Sequence, residues 1–295
     1  MATKVGLVGL GRMGRAIYGR LTEQGCEVTA WDKSAAAMTS AAEHQMRLAD
    51  SPRAVAAFGE AVITSITEDS GVKTVYRGTD GFLAGDVKGK LFIEMSTLQP
   101  MTARELAPVV EASGARLVDA PVFGTIPHVK SGKLYAMVGG KAEDFARARP
   151  VLEKLAHKVV HMGPNGAGYA MKLAVNLGLA AFIQATAEAL ALGTREGLKV
   201  DQMLDVLVEA PTANGWLAAK KGALNGEPAD TTLDLKTMRK DIMSMVATGA
   251  VNGTGLPLAS GMLAAFSAAV AQGWGDKDIG ELPKFFRDHM GQKFD

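Results

Sequence analysis

The sequence predicts two domains of different class, an α/β domain followed by an all-α domain, joined by one long helix. Three observations carry that prediction. Through the first half, short β-rich runs alternate with helical stretches, as in a parallel sheet covered by helices. The turn-rich cluster Gly163-Pro164-Asn165-Gly166 then ends the alternation. Beyond it the apolar spacing is helical and no strand pattern recurs. The expected boundary is at residue 163, dividing 1–163 from 164–295, and 295 residues is an ordinary length for about two domains.

The elements follow in order. Lys4–Val8 is apolar and β-branched and reads as the first strand. A glycine loop leads into a helix over Arg12–Gln24, stopped by Gly25. Glu27–Trp31 reads as a second strand ending at Asp32. Further strands are expected at Ala61–Ser65, Leu91–Glu94, Arg116–Asp119, Leu134–Val138 and Val159–His161. Met101–Ser113 and Ala142–His157 have helical length and apolar spacing. The joining helix runs from about 168 to about 196, and further helices are expected at Asp201–Glu209, Asn214–Leu224, Leu233–Gly249 and Pro257–Gln272. Its most apolar stretch, Ala174–Leu192, is broken by Asn176, Gln184, Thr186 and Glu188, so it reads as a buried helix and not a membrane span.

Composition excludes several classes of function. With 47% hydrophobic and 21% charged residues the chain can bury a large core, which argues against disorder. Its 32 basic and 31 acidic residues leave a net charge of +1 with no basic stripe, so neither nucleic acid nor a membrane surface is an expected partner. Cys26 is the only cysteine, so the chain cannot close an internal disulfide; this fits a reducing cytosol, and a cytoplasmic protein is expected. Cys26 itself reads as a small buried hydrophobe. His44, His128, His157, His161 and His289 lack metal-ligand spacing, and no metal is expected. Glycines and Arg12 interrupt the first apolar run, which argues against a signal peptide.

The chemistry begins at Gly9-Leu10-Gly11-Arg12-Met13-Gly14, a G-x-G-x-x-G motif. Alone the motif is weak; following a strand and opening a helix, it is the fingerprint of a Rossmann-type dinucleotide site. Gly9 permits a tight turn, Gly11 lets a pyrophosphate approach the backbone, and Gly14 lets the helix pack close to the sheet. The helix N-terminus offers unpaired N–H groups and partial positive charge to the phosphates. Asp32 lies 18 residues after Gly14, where an acid accepts hydrogen bonds from the adenosine ribose and repels a 2′-phosphate. NAD is therefore expected, with NADP possible because Lys33 and Ser34 can serve a phosphate; a turn or cap role for Asp32 is the alternative.

A second constellation is Gly166-x-Gly168-x-x-x-Lys172-x-x-x-Asn176. Lys172 and Asn176 are four apart on the expected long helix and share a face. With Met171, Leu173, Ala174 and Val175 around it, Lys172 is a candidate general acid/base, the alternative being a lysine that snorkels from a helix start.

With these residues in place, the chain resembles the β-hydroxyacid dehydrogenases, a family that includes 3-hydroxyisobutyrate, 4-hydroxybutyrate and tartronate semialdehyde enzymes and, more distantly, 6-phosphogluconate dehydrogenase. The resemblance runs from about Lys4 to Phe286 and rests on four motifs in order: the glycine loop, Asp119-Ala120-Pro121-Val122 leading through Gly132-Lys133-Leu134 to Val138-Gly139-Gly140, the Gly166–Asn176 constellation, and Lys240-Asp241. It implies a Rossmann-type domain joined by a long helix to an all-α domain. It implies Lys172 as the catalytic lysine and Asn176 as the amide that orients substrate. Ile66-Thr67 and Ser96-Thr97 would contact the dinucleotide, and Lys240 would lie near nicotinamide and substrate. Phe123-Gly124-Thr125 would hold the substrate's acidic tail, a carboxylate by default and a sulfonate as an analogue. A homodimer or homotetramer through the helical domain is also implied.

Three departures bear on the substrate. Phe123-Gly124-Thr125 stands where Ser-Gly-Gly is usual; the hydroxyl is lost at 123, Thr125 can return one, and Phe123 either reshapes the pocket or lies on the core. Val175 replaces a common asparagine, and Leu233 a common aromatic. Asp119 reads as a cap for the next segment, Asp241 as a support for Lys240 or its helix, and His128 as a neighbour of the substrate loop. Two rival functions fit the fold: an NADPH-dependent imine reductase, from which the lysine at 172 is typically missing, and a non-catalytic dinucleotide-binding module, which should have lost Lys172 or Asn176.

Overall fold

The computed structural model describes residues 2–289. It divides into two compact units, Met1–Leu173 and Ala174–Asp295. The expected division at 163 lies ten residues earlier, at the turn cluster; the first turns of the long helix belong to the first unit, where Tyr169 is buried in its core.

The first unit is built on β1 (Lys4–Val8), β2 (Glu27–Trp31), β3 (Ala61–Thr64), β4 (Leu91–Glu94) and β5 (Arg116–Asp119). These pair in parallel in the order β2-β1-β3-β4-β5. The strands are buried on both faces, so they read as near-continuous apolar runs. Ile63, Ile93 and Val118 join one core with Ile17 and Leu21 of helix α1 (Arg12–Glu23). Val62, Phe92 and Leu117 join the other. Register aligns the strand ends: Val8 pairs with Trp31 and Thr64, Thr64 with Glu94, and Glu94 with Asp119. Strand order reverses at β1, so the loop after β1 opens at a topological switch point, where α/β sheets bind ligands.

The sheet is not parallel throughout. A two-residue strand β6 (Val122–Phe123) and β7 (Leu134–Gly139) pair antiparallel, and β7 also runs antiparallel to β5. Only the five-residue helix α6 (Ile126–Lys130) separates β6 from β7, and so short a link cannot make a parallel crossover. β8 (Ala156–Gly163) then pairs parallel with β7, so the helix expected over Ala142–His157 stops at Leu152.

Of the remaining helices here, α5 (Pro100–Ala112) falls where periodicity puts it, and α7 (Ala142–Leu152) starts there and ends early. α4 (Asp69–Arg77), which is not among the expected helices, buries Val72, Val75 and Tyr76 at helical spacing; the short α2 (Ala35–Glu43) and α3 (Pro52–Phe58) do not stand out by period. Their signals are terminal: Ser34 and Ser51 accept hydrogen bonds from the N–H groups of Ala37 and Ala54, and Pro52 fills the first turn of α3.

The second unit is helical. α8 (Ala167–Arg195) is followed by α9 (Val200–Glu209), α10 (Gly215–Leu224), α11 (Leu235–Asn252), α12 (Pro257–Ala269) and α13 (Leu282–His289). Leu190, Leu204, Leu217 and Leu224 form one core that ties α8, α9 and α10. α11 outruns its expected end at Gly249 and closes on Gly253 at φ +74°, the left-handed cap that glycine supplies. Regular α-helix in α12 ends at Ala269, and the chain goes on as a π-type turn over Val270–Trp274, broken at Gln272 and at Gly273, which takes φ +83°. α13, which is not among the expected helices, buries Leu282, Phe285 and Phe286. By length and apolarity alone α8 is sufficient to cross a membrane, with 44% of its most apolar window buried inside the protein. Its buried Gln184 and Thr186 bond to Glu188 Oε1 and the Phe182 carbonyl within the helix.

Candidate active site

The glycine loop takes the form its motif demands. Gly9 has φ +103°, and a Cβ there would stand 2.2 Å from the Ser65 carbonyl oxygen. A Cβ at Gly14 would stand 1.9 Å from the Gly9 carbonyl oxygen, so the close contact is between the helix and its own entry loop and not, as expected, between helix and sheet. Gly11 is exposed and a Cβ there would meet nothing within 4 Å. Open space over a bare backbone at a helix N-terminus is the cradle a pyrophosphate needs, and the residues present fit a dinucleotide. Asp32 Oδ2 accepts the Leu10 N–H at 2.6 Å and Oδ1 accepts the Ser34 N–H at 2.8 Å. The acid therefore fixes the loop and starts α2. A carboxylate has about four lone-pair sites, so acceptor capacity is left for a ribose. Ser34 is the cap of α2.

The next two loops are tied to each other. Ser96 is buried and its hydroxyl accepts the Ile66 N–H at 3.0 Å. Below them lies Glu94, which the sequence marks only as a strand end. It is 2% exposed, accepts the Thr64 hydroxyl on Oε2, and accepts the Ser96 N–H on Oε1 at 3.1 Å. Burial pushes the Glu94 carboxyl up to about 7 against the pull of the Ser96 and Thr64 hydrogen bonds, with Asp119 adding repulsion. Thr67 is exposed and Thr97 half-buried.

Asp119 explains why two of the motifs are glycine-rich. It is fully buried, and its carboxylate accepts the N–H groups of Gly166 at 2.7 Å and Tyr169 at 3.1 Å. It caps the start of α8, 47 residues on, and not the next segment. A Cβ at Gly139 would lie 2.6 Å from its carboxylate oxygens, and one at Gly168 would lie 2.4 Å from the Met137 carbonyl oxygen. Burial pushes the Asp119 carboxyl up, opposed by its backbone hydrogen bonds. Lys172 follows on α8, half-buried; Met171 and Ala174 face outward, so the apolar run in sequence does not sheathe it.

In the substrate-loop candidate, Gly124 has φ +129° and a Cβ there would lie 2.7 Å from Leu134. The Thr125 hydroxyl and N–H both engage His128 Nδ1, at 2.8 and 3.0 Å. His128 therefore braces this loop through Thr125, and Nδ1 acts as an acceptor. Phe123 stacks on Tyr135, ring centroids 4.6 Å apart and planes 14° apart, with 38% of its surface exposed. Tyr135 is in turn met by the edge of His157 and by the Lys158 ammonium.

In the helical unit one buried acid joins two candidates. Asp241, 2% exposed, accepts Asn176 Nδ2 on Oδ2 at 2.7 Å and pairs with Lys240 Nζ through Oδ1 at 2.6 Å. The support expected of Asp241 for Lys240 thus extends to Asn176, 65 residues away. Lys172 stands one helical turn before Asn176, on the same face of α8.

Residues 4–163 match the NAD binding domain of 6-phosphogluconate dehydrogenase. Residues 166–286 match the NAD-binding domain of NADP-dependent 3-hydroxyisobutyrate dehydrogenase. A 3-hydroxyisobutyrate dehydrogenase of Pseudomonas aeruginosa is 37% identical over 72% of this chain and 71% of its own. Glyoxylate/succinic semialdehyde reductase 1 of Arabidopsis thaliana is 28% identical over 97% of this chain and all of its own. The solved structure of Mycobacterium tuberculosis 3-hydroxyisobutyrate dehydrogenase with L-serine superposes with a TM-score of 0.83 at 32% identity, over 97% of this chain and 100% of that one. The chain belongs to the β-hydroxyacid dehydrogenase family, and it is an oxidoreductase that uses a nicotinamide dinucleotide. A reductive aminase of Aspergillus terreus shares the fold at 24% identity and a TM-score of 0.63, a likeness of fold alone.

Proposed function

We propose that this chain transfers hydride between NAD and a short hydroxy acid or semialdehyde carrying an acidic tail, with Lys172 as general acid/base. 3-Hydroxyisobutyrate, 4-hydroxybutyrate, tartronate semialdehyde or a sulfonated analogue fits that description. The observation that carries the reading is the buried Asp241 carboxylate, which holds Asn176 and Lys240 together one turn from Lys172. Bound NAD supplies the hydride acceptor. In oxidation, Lys172 Nζ accepts the substrate hydroxyl proton; in reduction it returns it. An amide has two N–H donors and one acceptor oxygen. The bond to Asp241 therefore fixes the plane of Asn176 and leaves it capacity to orient the substrate oxygen. For the acidic tail the candidates are the Lys240 ammonium held by Asp241 and the Gly124 backbone, the Thr125 N–H being taken by His128. Ile66, Thr67, Ser96 and Thr97 contact the dinucleotide, and Asp32 selects NAD by repelling a 2′-phosphate.

The test is a panel of C3–C5 hydroxy acids, semialdehydes and sulfonated analogues, with cyclic imines, each assayed with NAD and NADP. Turnover of a hydroxy acid with NAD is expected, and Lys172→Ala should lower kcat by about 10²–10⁴-fold while NAD still binds. A near-normal kcat in that variant refutes the role of Lys172. Turnover confined to imines with NADPH replaces the reading with an imine reductase. A homodimer or homotetramer through the helical unit is part of the proposal, supported by Leu192, Val206, Val251 and Leu258, each more than half exposed there. Light scattering that returns a monomer removes that part.

A further inference from the structure

We infer that His128 is a binding residue for the substrate's acidic tail: with Nδ1 committed to Thr125, its Nε2–H is the donor this loop offers in place of the hydroxyl missing at 123. The inference deepens the proposed function and rests on its reading of Phe123-Gly124-Thr125 as the tail site.

The ring is held in one orientation and one tautomer. Three residues after Thr125, His128 reaches back to the Thr125 N–H, the place that Glu or Gln takes in a capping box. A backbone N–H can only donate, and an imidazole nitrogen accepts only where it carries no proton. The 3.0 Å bond therefore makes Nδ1 the bare nitrogen and puts the proton of the neutral ring on Nε2. The Thr125 hydroxyl lies 2.8 Å from the same Nδ1. Both donors of Thr125 are thus turned to His128, and the Phe123 side chain has none.

The ring also lies beside the backbone that would meet the tail. A Cβ on Gly124 would stand 3.1 Å from His128 Cβ and 3.5 Å from its Cγ, so the imidazole takes the space that a side chain at 124 would fill. Gly124 and His128 are both exposed. Among the described residues none bonds to Nε2, while Nδ1 is doubly engaged. An oxyanion laid along Gly124 has that N–H beside it, and a hydrogen bond to an ionised acceptor is roughly twice as strong as one to a neutral acceptor. The donor therefore favours a tail that ends in an oxyanion over an uncharged one.

The experiment separates the brace from the donor by substitution in the full chain. Glu and Gln both accept the Thr125 N–H as capping-box residues do, but only the Gln amide also offers N–H donors. With NAD saturating, KM is measured for the acid of the panel with the highest kcat/KM and for its uncharged methyl ester. His128→Ala should raise KM for the acid by about 10- to 100-fold with a much smaller change in kcat, the loss of one hydrogen bond to a charged group. His128→Gln should recover most of that loss. His128→Glu keeps the brace and repels the tail, so it should raise KM further than His128→Ala does. The gap between the Glu and Gln variants should largely close for the methyl ester. Denaturation midpoints should be alike in these two variants, so that a loop that fails to form does not account for the gap. Equal KM for the acid in the Glu and Gln variants leaves His128 the brace alone and overturns the inference. A proton found on Nδ1 of the neutral ring by proton–nitrogen NMR overturns it too. If the wild type turns over no acid of the panel, the proposed function falls and this inference with it.

Discussion

The two units hold their candidate residues by different means. In the sheet unit the motif glycines are set by close approach of bare backbone: Gly14 against the Gly9 carbonyl, Gly168 against the Met137 carbonyl, and Gly139 against the Asp119 carboxylate. In the helical unit the candidates are set by side chains, with Asp241 gripping Asn176 and Lys240. Backbone packing of this kind fails on the addition of one carbon. A side-chain grip tolerates volume and fails on loss of charge. The difference can be broken or sharpened by substitution.

The largest effect belongs to the glycine loop. Gly14→Ala puts a carbon 1.9 Å from the Gly9 carbonyl oxygen, so the loop must move and NAD binding is expected to disappear by calorimetry. Gly11→Ala is the control: its new methyl meets nothing within 4 Å, so stability should stay within about 1 kcal/mol while NAD affinity drops, because the methyl occupies the pyrophosphate's approach. Tight NAD binding by Gly14→Ala would break the comparison at its strongest point.

Next comes Asp241→Ala. It strips a buried amide and a half-buried ammonium of their shared acceptor. A stability loss of about 3 kcal/mol by chemical denaturation is expected, with a fall in kcat and no change in NAD affinity. Asp241→Asn, which keeps the size and an acceptor for Asn176, should recover part of the stability and less of the activity. Equal recovery of both would mean that Asp241 matters for its shape alone.

This contrast also governs what the sequence makes legible. A backbone-built site is written as glycines at short fixed spacing, so Gly9, Gly11 and Gly14 are readable from the motif alone. The strand that should end on an acid does so at Asp32, whose second task, bonding the Leu10 N–H, is invisible to spacing. Asp119 is readable as a cap, but its partner 47 residues later is not. The Asn176–Asp241 bond spans 65 residues and leaves no periodic trace, so only the family motif points there. Glu94 escapes notice because a buried acid at a strand end looks like a loop residue; its tie to Thr64 depends on strand register. The antiparallel turn of β7 is hidden because two-residue β6 is too short to show alternation. The short α2 and α3 announce themselves only by caps.

The helical unit's own scaffold repeats its style. Asp278 and Lys220 form a buried ion pair at 2.8 Å, and Asp278 also accepts the N–H groups of Thr232 and Gly280. Burial alone would push the Asp278 carboxyl up, but Lys220 and those N–H groups hold it below its usual range. A folded-state value below the unfolded one stabilises above about pH 4 and is lost as pH falls through the folded value. Asp278→Asn should therefore cost about 3 kcal/mol at neutral pH and much less in acid, read by denaturation at both. A cost that does not change with pH would assign the loss to packing instead of charge.

The smallest effect is the most diagnostic, because Phe123 lies in the sheet unit yet is held by a side chain. Its ring stacks on Tyr135 at 4.6 Å, and Gly124 beside it has the backbone form that only glycine adopts easily. Phe123→Ser removes the stacking, which contributes about 0.5–1.5 kcal/mol, and restores a hydroxyl near the proposed acidic-tail site. Stability should fall by no more than that, since the ring is already 38% exposed. On a hydroxy acid the change should appear in KM, up to about a hundredfold, with NAD affinity and the Lys172-dependent step unaltered. If instead NAD affinity shifts as much as KM, the loop belongs to the cofactor half of the site. The aromatic pair would then be one more device for placing the dinucleotide, held by stacking where Thr125 is held by His128.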